Sequence, residues 1–126
     1  MTIQECYQQL GGNFVQVEQR LSSVRLVRRF ITKFLDDRSF SELCQAMQEG
    51  QRDKAFRAAH TLKGVCANLG FDRLGASAGR LTELLRPEND GIPEEAAPIL
   101  NTVKHDYEVT VDAIRAYLNS ERQSEC

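Results

Sequence analysis

The sequence predicts an all-α fold, an antiparallel four-helix bundle with additional short helices at its N-terminus. Three observations predict it. Apolar residues recur three and four apart through most of the chain, the spacing that lines one face of a helix. Almost no segment alternates apolar and polar residues with the period of two expected of a half-buried strand. The helical stretches are separated by short breaks marked by Gly, Pro or Asp, so consecutive helices are expected to fold back on one another.

Taken in order, residues 2–10 predict a short helix presenting Ile3, Cys6, Tyr7 and Leu10, closed by Gly11-Gly12. Residues 13–21 predict a second, with Phe14, Val17 and Leu21 inward, and both are expected to cover one end of the bundle. A longer helix over 23–36 has the stripe Val24, Val27, Ile31, Phe34 and Leu35, with Phe30 at its edge. Asp37-Arg38 breaks it, and Ser39-x-x-Glu42 reads as a capping box. The helix it opens buries Phe40, Leu43, Cys44 and Met47 before Gly50 ends it. The next helix, 51–69, ends at Gly70, and Asp72 is the expected N-cap of a helix running to 86. That helix buries Leu74, Ala78, Leu81 and Leu85, and its run Gly75-Ala76-Ser77-Ala78-Gly79 permits close packing on its predecessor.

Pro87 stops this helix, and Glu88-Asn89-Asp90-Gly91 reads as an exposed turn. Pro93 at a first helical position, followed by Glu94 and Glu95, opens the last helix. Its stripe of Ala96, Ile99, Leu100, Val103, Tyr107, Val111, Ile114 and Leu118 persists for more than about six turns. The polar residues after Asn119 are expected to fray. Residues 1–126 thus read as one domain: short helices over 1–21, the bundle core over 22–119 and a tail over 120–126.

Composition excludes several function classes. A net charge of −2 argues against a nucleic-acid role. No apolar run approaches the roughly 20 residues of a membrane span. The first residues, Met-Thr-Ile-Gln-Glu-Cys, lack the basic and apolar regions of a secretory signal. Cys6, Cys44, Cys66 and Cys126 show neither paired nor zinc-type spacing, so the thiols are expected to be reduced and the protein cytoplasmic. The bundle is expected to be a monomer. The initiating Met and polar tail lead to the expectation of a free-standing protein. Charge is unevenly distributed: residues 52–86 hold seven bases against three acids, net +4, whereas residues 87–126 hold three against nine, net −6. A locally cationic segment in an acidic protein suits a phosphoryl group or an acidic partner surface.

Within that segment, helix 51–69 has an unusual solvent face. With Leu62 at zero, Ala55, Ala58, Ala59, Val65, Cys66 and Leu69 fall within roughly 60° of it, at about 100° per residue. His60 lands about 160° away, with Gly64 one turn on, Ala67 beside them, and Lys63 and Arg57 flanking. Gly in a helix interior costs about 1 kcal/mol relative to Ala. A missing side chain one turn from His60 lets another surface approach the imidazole, the simplest reason to accept that cost.

The string His60-Thr61-Leu62-Lys63-Gly64, followed by Asn68-Leu69-Gly70, resembles the signature of histidine-containing phosphotransfer (HPt) domains, with no departure inside the motif. The resemblance covers residues 24–118. It implies that His60 carries a phosphoryl group between receiver domains of a multistep phosphorelay, attacking an aspartyl phosphate through Nε2. An exposed imidazole titrates near about 6.5 and is mostly neutral and nucleophilic at cytosolic pH. Lys63, one turn along, is placed to neutralise developing phosphoryl charge, and Gly64 clears the approach. Folding 51–69 against 72–86 puts His60 level with Leu81 and Thr82, so Thr82 is the expected hydrogen-bond partner of the inner nitrogen.

The chain has no Gly-rich phosphate loop and no carboxylate cluster fit for Mg²⁺, so no cofactor or metal of its own is expected. The metal and acidic residue would come from the partner, a response-regulator receiver domain, or one belonging to a hybrid sensor histidine kinase. The protein then reads as a phosphocarrier rather than an enzyme.

The alternative is a non-phosphorylatable helical-bundle adaptor that binds a signalling partner, which would need neither His60 nor an open Gly64. A histidine-dependent hydrolase lacks a nearby serine or cysteine nucleophile with an orienting acid. His60 and Cys66 lie on different faces and do not pair as metal ligands. His105, opposite its helix's core stripe with Val109 one turn on, reads as an ordinary surface residue. Arg28-Arg29 reads as a solvated face, with docking on an acidic partner as the alternative.

Overall fold

A computed structural model of the chain describes residues 1–88 and 91–124. Its helices are α1 (Ile3–Leu10), α2 (Phe14–Leu21), α3 (Val24–Phe34), α4 (Ser39–Gln48), α5 (Arg52–Leu69), α6 (Asp72–Leu84) and α7 (Ala96–Ser124), with no strand among the described residues. The fold is an all-α bundle. α5 packs on both α4 and α6, α7 packs on α6, α1 lies along α7, and α2 rests on α3. Phe40 of α4 stacks on Tyr107 of α7 with ring centroids 4.0 Å apart, so α4 and α7 also meet. A single buried cluster runs from Ile3 to Tyr117 and includes Leu43, Leu62, Leu81 and Ile114.

The N-terminal helices brace the end of the bundle where α5 turns into α6. α1 starts in a capping box: Glu5 N–H donates to Thr2 Oγ1, and Thr2 N–H donates to the Glu5 carboxylate. It buries Ile3, Cys6, Tyr7 and Leu10, the four residues its periodicity picks out. The turn after α1 and the turn after α5 then meet backbone to backbone. Asn13 N–H donates to Gly70 O at 2.9 Å, and Arg73 N–H donates to Gly11 O at 3.0 Å. Only glycine fits here: a Cβ on Gly12 would lie 2.5 Å from Gly70 O, and Gly70 itself ends α5 with φ 70°. Tyr7 Oη donates to Leu69 O at 2.7 Å and Arg20 Nη1 to Ala67 O at 2.7 Å, pairing carbonyls in the last turn of α5.

Several boundaries differ from expectation, each for a local reason. The capping box at Ser39 does not form: Ser39 is the first helical residue and buried, and its N–H is bonded by Asp37 Oδ1 at 2.9 Å. Asp72 does not cap α6 either. Phe71 holds that position without a side-chain bond, and the carbonyl of Gly11 takes the Arg73 amide instead. Regular helix in α7 begins at Ala96 rather than at Pro93, because Pro98 offers no N–H to the carbonyl four residues back. At its other end α7 continues helical to Ser124, past the expected start of the tail. There Tyr117 Oη donates to Glu121 at 2.7 Å, and Arg28 of α3 pairs with Glu121 at 2.9 Å. Arg28 and Arg29 are both exposed, as a solvated face requires, and Arg28 in addition ties α3 to α7 through this pair. Asn89 and Asp90 of the expected exposed turn and the last two tail residues, Glu125 and Cys126, lie outside the described residues.

α6 ends at a device the sequence does not announce. The Arg52 guanidinium, from the first turn of α5, donates to the carbonyls of Leu84, Leu85, Arg86 and Gly91 at 2.6–3.3 Å. These are carbonyls of the kind a helix C-terminus leaves without an intrahelical partner, and a cation there also opposes the helix dipole. Two of the thiols are packing groups: burial pushes Cys6 up to about 11 and Cys66 up to about 12.

Candidate functional site

α5 separates its two faces cleanly. Ala55, Ala58, Ala59, Leu62, Cys66 and Leu69 are buried, with Val65 half-buried. His60, Lys63, Gly64, Ala67 and Asn68 are exposed. Three of the expected site residues, His60, Lys63 and Gly64, therefore share one exposed surface. A Cβ built on Gly64 meets nothing within 4 Å, so the space one turn beyond the imidazole is open.

Lys63 is held by its stem. Its Cδ and Cε lie 3.6 Å from where a Cβ on Gly79 would stand, so the aliphatic chain crosses α6 where that helix has no side chain. On the same helix, a Cβ on Gly75 would come within 3.2 Å of Cys66 Cβ, which accounts for the thin stretch of α6 as a packing feature. The charge of Lys63 is felt at Glu83. That carboxyl is held below the usual carboxylate range first by its hydrogen bond with Arg86 and, in smaller part, by Arg86 and Lys63 acting through space. Arg57, the other flanking cation, pairs with Asp53 at 2.7 Å within its own helix.

Thr82 is not brought to the imidazole. Its side chain is 2 % exposed, and its hydroxyl donates to Ala78 O at 2.7 Å, inside α6. Among the described residues His60 makes no hydrogen bond. Its ring instead lies almost parallel to that of Phe56, at an interplanar angle of 13° with centroids 6.0 Å apart. Sequence reasoning passed over Phe56, although its position four residues before His60 puts the two side chains together on a helix. His105 is also exposed, on α7, flanked by buried Asp106 and half-buried Val109.

Among the described residues, no group of three or more His, Cys, Asp or Glu side chains is placed to hold a metal ion. No helix of the described residues is long and apolar enough to cross a membrane. Beside the exposed face of α5, a groove of about 410 Å³ runs between it and α2–α3. Its walls include Leu21, Phe30, Phe34, Val65 and Leu69, with Arg20 and Lys33 among the charged residues. Phe30 is 39 % exposed, and α3 carries four bases and no acid. The arrangement offers a nucleophilic nitrogen at an unobstructed surface, a cation one turn away and an apolar groove alongside.

The family model described as Hpt domain matches residues 25–123 of the chain. No curated protein and no solved structure matches it.

Proposed function

Because this chain belongs to the Hpt domain family, a family of histidine phosphotransfer domains in phosphorelays, we propose that it is a phosphocarrier with His60 as its phospho-acceptor. The observation that carries this reading is an exposed His60 with open space at Gly64 and with Lys63 on the same surface. In the step proposed, the Nε2 lone pair of neutral His60 attacks the phosphorus of a receiver's aspartyl phosphate. The P–N bond forms as the P–O bond to the aspartate breaks, and the carboxylate leaves with the bonding pair. The imidazole keeps its Nδ1 proton and becomes a phosphorylated cation. Lys63 offsets charge on the phosphoryl oxygens during transfer. Transfer to a second receiver is the same step reversed, and the receiver contributes the metal and the acidic residues.

The receiver would seat over His60 and along the groove between α5 and α2–α3, where Phe30 and Leu21 offer apolar contact and the bases of α3 attract an acidic surface. The protein works in this reading as a cytoplasmic monomer and depends on its partner for turnover. Incubation with receiver domains charged by a small phosphodonor, followed by separation and counting, tests it. Rapid appearance of acid-labile label on this chain is the expected result. Failure across a panel of receivers, together with tight binding to one of them, would favour an adaptor.

Gly64 gives a second test. Gly64→Gln should leave the helix intact and raise stability by about 1 kcal/mol or less, since glycine is a poor helix residue and the added atoms enter open space. Transfer should nonetheless slow markedly, because the new side chain stands between His60 and the incoming phosphoryl group. Equal rates in variant and wild type would mean that access is not why glycine occupies this position.

A further inference from the structure

We infer that Phe56 is a positioning residue for His60, its ring holding the imidazole plane in place of a hydrogen bond; this rests on the phosphocarrier reading. Four observations converge on it. The two rings are nearly parallel, at 13° and 6.0 Å. Phe56 is half-buried and packs against the core cluster, so it is itself anchored. His60 has no hydrogen bond among the described residues. Thr82, the polar residue of α6 expected to reach the imidazole, is buried and bonded to its own helix.

An exposed histidine with no polar partner turns broadly about its last torsion, because an sp³–sp² bond has shallow wells. Yet the nucleophilic lone pair lies in the ring plane, so in-line attack on phosphorus requires that plane to be aimed. A hydrogen bond to the inner nitrogen would aim it and select the tautomer. Phe56 does the first without the second. Its flat face one turn away disfavours edge-on rotamers of His60, and offset stacked rings attract at this separation. With Gly64 leaving the opposite side of the imidazole empty, one flank of the ring is supported and the other is free for the phosphoryl group. The gain is orientation of a reacting group before encounter.

The test uses Phe56→Leu, which keeps an apolar side chain and a good helix former, and Phe56→Tyr, which keeps the ring. Nuclear Overhauser contacts between the Phe56 ring and the His60 ring protons, and the ring-current shift of the latter, read the stack without any phosphoryl transfer. Both should be present in wild type and Phe56→Tyr and lost in Phe56→Leu, with the melting temperature little changed. Single-turnover transfer from a charged receiver, at varied receiver concentration, reads the consequence. Phe56→Leu should lower the maximal rate about three- to tenfold and leave the half-saturating concentration unchanged, and Phe56→Tyr should restore the rate. A loss confined to the half-saturating concentration would make Phe56 a docking contact and overturn the inference, as would an unchanged maximal rate or the absence of ring contacts in wild type. If wild type takes no label from any receiver while the ring contacts are present, the phosphocarrier reading fails and the stack survives only as a helix-surface contact.

Discussion

Phe71→Ala should lower the free energy of unfolding by about 3–5 kcal/mol and the melting temperature by roughly 10–20 °C. Phe71 is fully buried at the turn between α5 and α6. It meets Phe34 of α3 edge-on, with centroids 5.1 Å apart and planes at 80°, and lies 5.8 Å from the ring of Tyr7 in α1. One side chain thus joins three helices at the point where the backbone of two turns is already in contact. Truncation removes the ring's transfer free energy and leaves a cavity whose walls are pinned. Tyr7 is fixed by its bond to Leu69 O, and the turn is fixed by the Gly70 and Gly11 carbonyl bonds, so the site has little freedom to collapse. Phe30→Ala is the matched control. Phe30 is 39 % exposed and lines an open groove, so its truncation leaves no enclosed cavity and should cost far less, about 1–2 kcal/mol. Chemical denaturation of both variants checks the pair. A Phe71→Ala loss below about 1 kcal/mol would mean that the helices close over the gap, so that this end of the bundle is not rigid.

What the sequence made legible was what periodicity can carry. The buried face of α1 and the division of α5 into a buried stripe and an exposed His60 surface follow from helical spacing alone, because one axis and one period fix them. α7 was read only in part. Its expected stripe omitted Asp106, Thr110, Ala113 and Tyr117, all buried, because α1 packs on a second face of that helix. A stripe calculation finds one partner, not two. Cap positions misled at Ser39 and Asp72 for a related reason: the amides there were taken by Asp37 and by the distant Gly11 carbonyl, and nothing local marks such a donor–acceptor pair. Arg52 and Arg28 were illegible in the same way, since their partners lie on other elements more than thirty positions away. Thr82 shows the limit most clearly. Folding a hairpin on paper gives the level of a residue opposite His60 but not its azimuth, and Thr82 turned inward. Phe56 was legible by position, four residues from His60, but an apolar ring is of a type that reads as core and nothing in it marks a neighbour of the imidazole.

The central claim is that His60 is the phospho-acceptor, and comparison with His105 tests it most directly. Both histidines are exposed, so accessibility does not separate them. Their surroundings do. His60 has Lys63 and the open Gly64 on its surface within a segment of net charge +4, whereas His105 lies in a segment of net charge −6 with Asp106 and Glu108 close in sequence. An incoming phosphoryl group is therefore attracted at one site and repelled at the other. A phosphohistidine is acid-labile and alkali-stable, and an aspartyl phosphate is labile in alkali, so the label identifies the residue type that bears it. Labelling from a charged receiver domain should be abolished in His60→Gln and remain near the wild-type level in His105→Gln, with both variants folded by circular dichroism. Acid-labile label persisting on His60→Gln would contradict the account.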